Sequence, residues 1–276
     1  MAANWWSELR GNVPRKWAIL LGLVPLLLLF ALWWSLTRGP SEERVIPVTI
    51  LPSPGEVLRS SLDYLQQRDA ETGSSRLVHH TWLSLRRVLL GYLCALVVVF
   101  PLGVLMGSFG SVRAAFGPLT AISGYIPIAT LAPLTMSWFG TDDKQKVFFL
   151  ALAFGIYLLP LIFQAINSVP DVYLRTAYTL GASRGEAIWS VLIPIAMPDI
   201  WQAMRLAFGV GWTYLVLTES IVMAGGLGEI VMIAQRRGPR EHIYLTILVI
   251  TLVAWCSDLL WDRLGRALFP YRRRAS

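Results

Sequence analysis

Apolar runs of roughly membrane-spanning length alternate with short polar segments along the whole chain. Residues 17–36 carry twenty positions without a charge, about the length needed to cross a ~30 Å hydrocarbon core. Comparable runs follow at about 83–107, 115–139, 147–166, 200–223 and 242–261, so the pattern predicts an all-α membrane protein of about six transmembrane helices. Arg86 and Arg87 stand near the outer end of the second run, where long cationic side chains reach back to headgroups. A short turn holding Arg113 separates the second and third runs, and a polar turn at 140–146 separates the third from the fourth. The third run contains Pro118, Pro127 and Pro133. Proline in a membrane helix is tolerated where neighbours re-satisfy the freed backbone groups, and such a helix suits a pathway lining.

The first 80 residues read as an N-terminal segment, a first span and an external stretch; residues 81–276 read as the core transmembrane domain. Residues 1–16 are polar and basic, with Arg10, Arg15 and Lys16. A secretory signal is the competing reading of the run at 17–36. That run is longer than an h-region of roughly 7–15 residues and is followed by no small-residue cleavage site, so a retained anchor is expected. Between 38 and 80 the charges are mixed, and Pro52-Ser53-Pro54-Gly55 opens an amphipathic helix at 55–67. Six spans place both ends of the chain on one side. The basic residues flanking the first and last spans, including Arg263, Arg266 and Arg272, Arg273 and Arg274, make that side cytoplasmic. Arg236, Arg237 and Arg240 then fall outside, against the usual charge bias.

Residues 168–198 form the longest polar stretch of the second half, with their own punctuation. Pro170 suits a helix start. Tyr173, Ala177 and Leu180 lie on one helical face, and Gly181 sits where a helix end needs a residue tolerant of positive φ. Ala182 is followed by Ser183 and Glu186, a capping box that starts a second helix, which soon meets Pro194 and Pro198. Helix, sharp bend, helix, held outside the bilayer, presents a short rigid knob to something else.

In the fifth run Arg205, Gly209, Trp212 and Glu219 fall within an arc of roughly 80° on one helix face. Ionisable residues in a span are costly unless they face a bundle interior or a wet cavity. Two readings stay open: this face lines a translocation path or dimer seam, together with Pro127 and Pro133, or Arg205 and Glu219 merely pair locally.

Composition narrows the class further. The chain is 55% apolar with 15% charged residues and a mean hydropathy of +0.56, against roughly 25% charged in soluble domains. The net charge of +7 fits basic membrane flanks, and no aromatic-basic nucleic-acid module accompanies it. Cys94 and Cys256 read as two isolated membrane thiols, and His79, His80 and His242 lack metal-ligand spacing. No phosphate-binding glycine loop and no Ser/His/Asp set or paired carboxylates stand out, so no catalytic site or ATP site of its own is expected.

The polar stretch also resembles the cytoplasmic loop of ABC-importer permeases, which reads Glu-Ala-Ala, three residues, Gly, then an Ile-x-Leu-Pro-like ending. Gly181 is followed thirteen positions later by Pro194, with Val191 and Ile193 at the apolar positions, and Arg175-Thr176-Ala177 replaces the opening triplet. From about residue 51 to 250, further motifs follow the order seen in permeases for nitrate, sulfonate, taurine and bicarbonate. They are Leu51-Pro52-Ser53-Pro54, Ser84-Leu85-Arg86-Arg87-Val88-Leu89, Pro101-Leu102-Gly103, Ile126-Pro127, Trp138-Phe139-Gly140 and Gly226-Leu227-Gly228. Ser123-Gly124-Tyr125 departs from the Arg that the family tends to carry before Ile-Pro. The resemblance implies a type I importer permease fold in a bacterial inner membrane, paired with a second copy. It further implies a cytoplasmic ATPase dimer that binds ATP and Mg²⁺, no cofactor in this chain, and an external binding protein that delivers a small solute. Ala177, Leu180, Gly181, Ala182, Ser183, Glu186 and Pro194 would couple to the ATPase between spans four and five. The rival reading, an ATP-independent secondary transporter or channel, calls for inverted repeats with paired broken helices; the sequence shows none.

Overall fold

The computed structural model describes residues 13–40, 44–48, 50–68, 73, 75–221 and 224–271. Arg10, Met223, Arg272, Arg273 and Arg274 lie outside the described residues. Among the described residues the chain is helical, without strands. Helix α1 runs Arg15–Leu36, α2 Pro54–Gln66, α3 Arg76–Ser108, α4 Gly110–Ser123, α5 Leu131–Phe139, α6 Asp143–Asn167 and α7 Asp171–Thr179. A continuous helical path, α8, covers Arg184–Ile221, followed by α9, Leu227–Arg237, and α10, Glu241–Leu268. Five of these helices are long and apolar enough to cross a membrane, and there are six if the bent pair α4 and α5 counts as one span.

The core is the layer α3–α6–α8. Glycines bring α3 against α6: a Cβ on Gly91 would fall 2.6 Å from the Leu150 Cβ, and one on Gly103 would fall 2.7 Å from the Ile162 Cγ2. Close backbone approach of this kind replaces the hydrophobic drive that lipid removes. Tyr92 of α3 packs edge-on against Phe154 and Phe208 and donates to the Met204 carbonyl at 3.1 Å. Gly211 leaves room for the Phe154 ring. Helix α1 is exposed along nearly its whole length, as an anchor facing lipid would be. Near its C-terminal end Trp33 donates to the Pro52 carbonyl at 3.0 Å and stacks on Tyr244 of α10. Helix α2 begins with a capping box, Ser53 and Glu56, and Arg44 grips the Glu56 carboxylate with two bonds of 2.9 and 3.0 Å. That guanidinium holds the Glu56 carboxyl down at about 2.

Four local expectations are corrected. The stretch at 115–139 is not one helix: α4 and α5 meet at 88°. Pro127 has no N–H to give and pushes Ile126 out of the helical region, so the chain breaks after Gly124. Pro133, by contrast, sits in the first turn of α5, where N–H groups have no intrahelical partner. Arg113 belongs to the first turn of α4, not to a loop, and donates to Asn167 at 2.9 Å. The polar turn ends at Asp143, where α6 begins, and Gln145 and Lys146 are buried in that helix. Pro194 does not interrupt the chain either. The π-turn Ala187–Leu192, closed by the Ile193 N–H on the Ile188 carbonyl, gives the ring room, and the fifth span therefore begins well before residue 200.

Candidate functional sites along the bundle

One end of the bundle carries the knob. Helix α7 ends in two reverse bonds, from the Ala182 N–H to the Ala177 carbonyl and from the Gly181 N–H to the Tyr178 carbonyl, both 3.0 Å. This is a Schellman closure, and it requires the left-handed φ of +85° that Gly181 adopts. Ser183 then caps α8: the Glu186 N–H reaches its hydroxyl at 3.3 Å, and the Glu186 carboxylate accepts from the Ser183 N–H at 2.7 Å. Ala177 is buried, anchoring the knob, whereas Leu180 is 82% exposed and Trp189 70%. Val172, Tyr173 and Tyr178 are exposed beside them. Pro194 faces outward further along. Exposed apolar surface of this kind marks a contact with a protein or a membrane.

The opposite end is polar and closed. Arg87 is 2% exposed rather than reaching for headgroups. Its guanidinium donates to Glu219 at 2.7 Å, to Asp143 at 2.5 Å and to the carbonyls of Ala224 and Gly225 at 2.8 and 2.7 Å. Glu219, fully buried, also accepts from Ser84 at 2.8 Å and from the Gly228 N–H at 3.0 Å. Gly226 and Gly228 lie so close that a Cβ on either would collide with Glu219. Ser84 accepts the Leu227 N–H at 2.8 Å, and His80 accepts the Gly226 N–H at 2.9 Å. Helices α3, α6 and α8, Gly225 and Gly226, and the first turn of α9 are thus locked around one carboxylate.

Between these ends, Arg205 of α8 forms a two-pronged pair with Asp258 of α10, at 2.5 and 2.6 Å, and reaches Asp262 at 3.1 Å. Trp212 is buried in the core and Gly209 is exposed. Arg205 and Glu219 therefore have partners within this chain, at two different levels of the bundle. Near the middle of α6 a cavity of about 510 Å³ opens beside the break of the third span. Pro127 lines it, together with Tyr125, Tyr157, Pro160, Gln164 and Tyr214; Pro133, Arg205, Gly209, Trp212 and Glu219 do not. The Tyr157 and Tyr214 hydroxyls lie 3.1 Å apart. The sequence did hold a signal for this wall. Tyr157, Pro160 and Gln164, at i, i+3 and i+7, share one face of the fourth span, and a glutamine there needs a partner or a wet cavity. Among the described residues no His/Cys/Asp/Glu group has metal-binding geometry, and Cys94 and Cys256 are free.

The family of binding-protein-dependent transport system inner membrane components matches residues 99–274. The chain is 29% identical over 264 residues to the taurine transport system permease protein TauC of Escherichia coli K12, covering 96% of this chain and 94% of that one. It is 30% identical over 251 residues to the riboflavin transport system permease protein RibX of Chloroflexus aurantiacus, covering 90% and 89%. Its fold superposes on an inward-facing structure of the MetNI methionine ABC transporter with a TM-score of 0.63 at 18% identity, over 70% of this chain and 95% of that one.

Proposed function

The chain belongs to the binding-protein-dependent transport system inner membrane component family and is the permease subunit of an ABC importer; we propose that it works as a homodimer seated on a cytoplasmic ATPase pair. In this reading the ATPases bind ATP and Mg²⁺, and an external binding protein delivers a small anion of the sulfonate or nitrate kind. The similarity to TauC, a taurine transport permease, supports the sulfonate class. The observation that carries the coupling role is the knob itself. It is a Schellman turn at Gly181 followed at once by a capped helix, rigid within the chain, with Leu180 exposed at the turn and Trp189 exposed on the helix that follows. Such a tip fits an apolar cleft on the ATPase, and closure of the ATPase pair then moves α7 and α8 as one body. The chain's ends and the knob lie on the cytoplasmic face, and the Arg87–Glu219 cluster lies on the face that meets the binding protein.

The test is reconstitution of the permease with its ATPase and binding protein in liposomes, following ATP-driven uptake of taurine, nitrate and riboflavin. Uptake of an anion, dependent on both partners, is expected. Uptake without ATPase would restore the secondary-transporter reading, which the family match otherwise removes. A reporter after Ser276 should be cytoplasmic.

A further inference from the structure

We propose that the cavity at the break of the third span is the solute's resting place midway across the membrane, and that it holds a compact oxyanion head group through the hydroxyls of Tyr157 and Tyr214 and the amide of Gln164. The proposal rests on the importer reading above and extends it to a site.

Position comes first. Tyr157 lies near the middle of α6, a helix that starts at the polar cluster around Asp143 and ends beside the knob. The wall opposite is the irregular segment joining α4 to α5, Gly124 to Ile128. Irregular backbone at membrane depth is tolerated where it is buried in protein or lines a water-filled space. At roughly 30 Å³ per water, the volume of about 510 Å³ admits a small organic anion with part of its hydration shell.

Chemistry comes second. The lining residues described here include no Asp, Glu, Lys, Arg or His. The buried charges lie elsewhere: Arg87 and Glu219 pair at one end beside Asp143, Lys146 reaches the Ala224 carbonyl there, and the half-buried Arg205 pairs with Asp258 and Asp262. With no carboxylate, the cavity carries no fixed negative charge to favour a cation over an anion. What it offers is donors. Of two phenols 3.1 Å apart, one donates to the other, and the acceptor keeps its own proton for a ligand. The Gln164 amide adds two N–H donors. A neutral donor set binds an anion loosely, which suits a passage: binding must favour entry without blocking exit. A fixed arginine there would trap the ion.

The experiment uses the complete complex in liposomes, with taurine, methanesulfonate, nitrate and riboflavin as probes. In Y157F/Y214F, which removes two oxygen atoms and nothing else, anion uptake should fall about tenfold, the loss of two neutral hydrogen bonds. In Q164E an added negative charge inside the cavity should cut anion uptake by about a hundredfold or more. Both variants should still co-purify with the ATPase and keep hydrolysis stimulated by loaded binding protein. Wild-type anion uptake in either assembled variant overturns the site and leaves the importer reading standing. If Q164E fails to assemble, the double phenylalanine variant decides alone. A wild-type complex that imports riboflavin and no anion overturns the substrate class, and this site falls with it.

Discussion

Glu219→Gln tests how much of the bundle's closed end depends on one ionised carboxylate. Glu219 and Arg87 are 0% and 2% exposed, so neither can fall back on water. The carboxylate accepts from Arg87, Ser84 and the Gly228 N–H. Glutamine keeps one acceptor, which can stay on Arg87, and places an NH₂ where Ser84 and Gly228 point. Ser84 can turn and accept, but the Gly228 N–H then meets another donor. An orphaned buried N–H costs about 1–3 kcal/mol, and the lost charge-assisted bond adds about 1–2. The sum, about 2–5 kcal/mol, overlaps the range for breaking a buried ion pair by removing one partner. The contrasting limit is the average of about 0.6 kcal/mol for polar contacts between membrane helices, where the unfolded state finds substitutes. The structure favours the higher figure, because Gly226 and Gly228 press on the carboxylate and leave no space for rearrangement. The assay is detergent-induced unfolding of purified wild type and E219Q, with Arg266→Gln, which removes the half-exposed member of an i,i+4 pair, as control, expected within about 1 kcal/mol. If E219Q unfolds within about 1 kcal/mol of wild type, the carboxylate is not the centre of this lock and the reasoning fails.

Gly181→Val should cost more than ~1 kcal/mol locally through its φ of +85°, with no clash inside the chain because nothing lies within 4 Å of the Cβ position. ATPase co-purification should drop for Val and be largely kept for Asn, which tolerates that φ; equal loss in both would move the effect from backbone to contact surface. Gly91→Val should weaken the α3–α6 seam by about 1–3 kcal/mol or more through overpacking against Leu150, read as the same unfolding shift; a variant as stable as wild type would mean the helices part freely there. The Glu56 carboxyl is depressed in the folded protein, so its contribution is complete above the ordinary carboxylate value and vanishes as pH falls through about 2. Between those limits α2 should loosen in wild type and much less in Glu56→Gln, as followed by hydrogen exchange at residues 55–58.

Much of this protein was legible in one dimension, for identifiable reasons. A span is a local property, a run of apolar residues long enough for the bilayer, so the five unbroken candidate spans could be read without knowing their neighbours. The knob was legible because caps and turns are local as well: Gly181, Ser183 and Glu186 specify their own geometry within a few residues. Other features depended on residues far apart in sequence. Arg87 reads as a headgroup-seeking cation until Glu219, 132 positions away, is placed beside it. Arg205 and Glu219 share a helix face, yet that face meets α10 at one level and α3 at the other, so a single arc could not say what each would touch. The three prolines of the third span looked equivalent, but only the chain's path shows that Pro127 breaks the helix while Pro133 falls harmlessly in a first turn. The cavity beside that break combines three separate segments and carries no charge to advertise it. Local rules wrote the helices and the knob, and packing alone decided which polar groups were spent on one another and which were left facing open space.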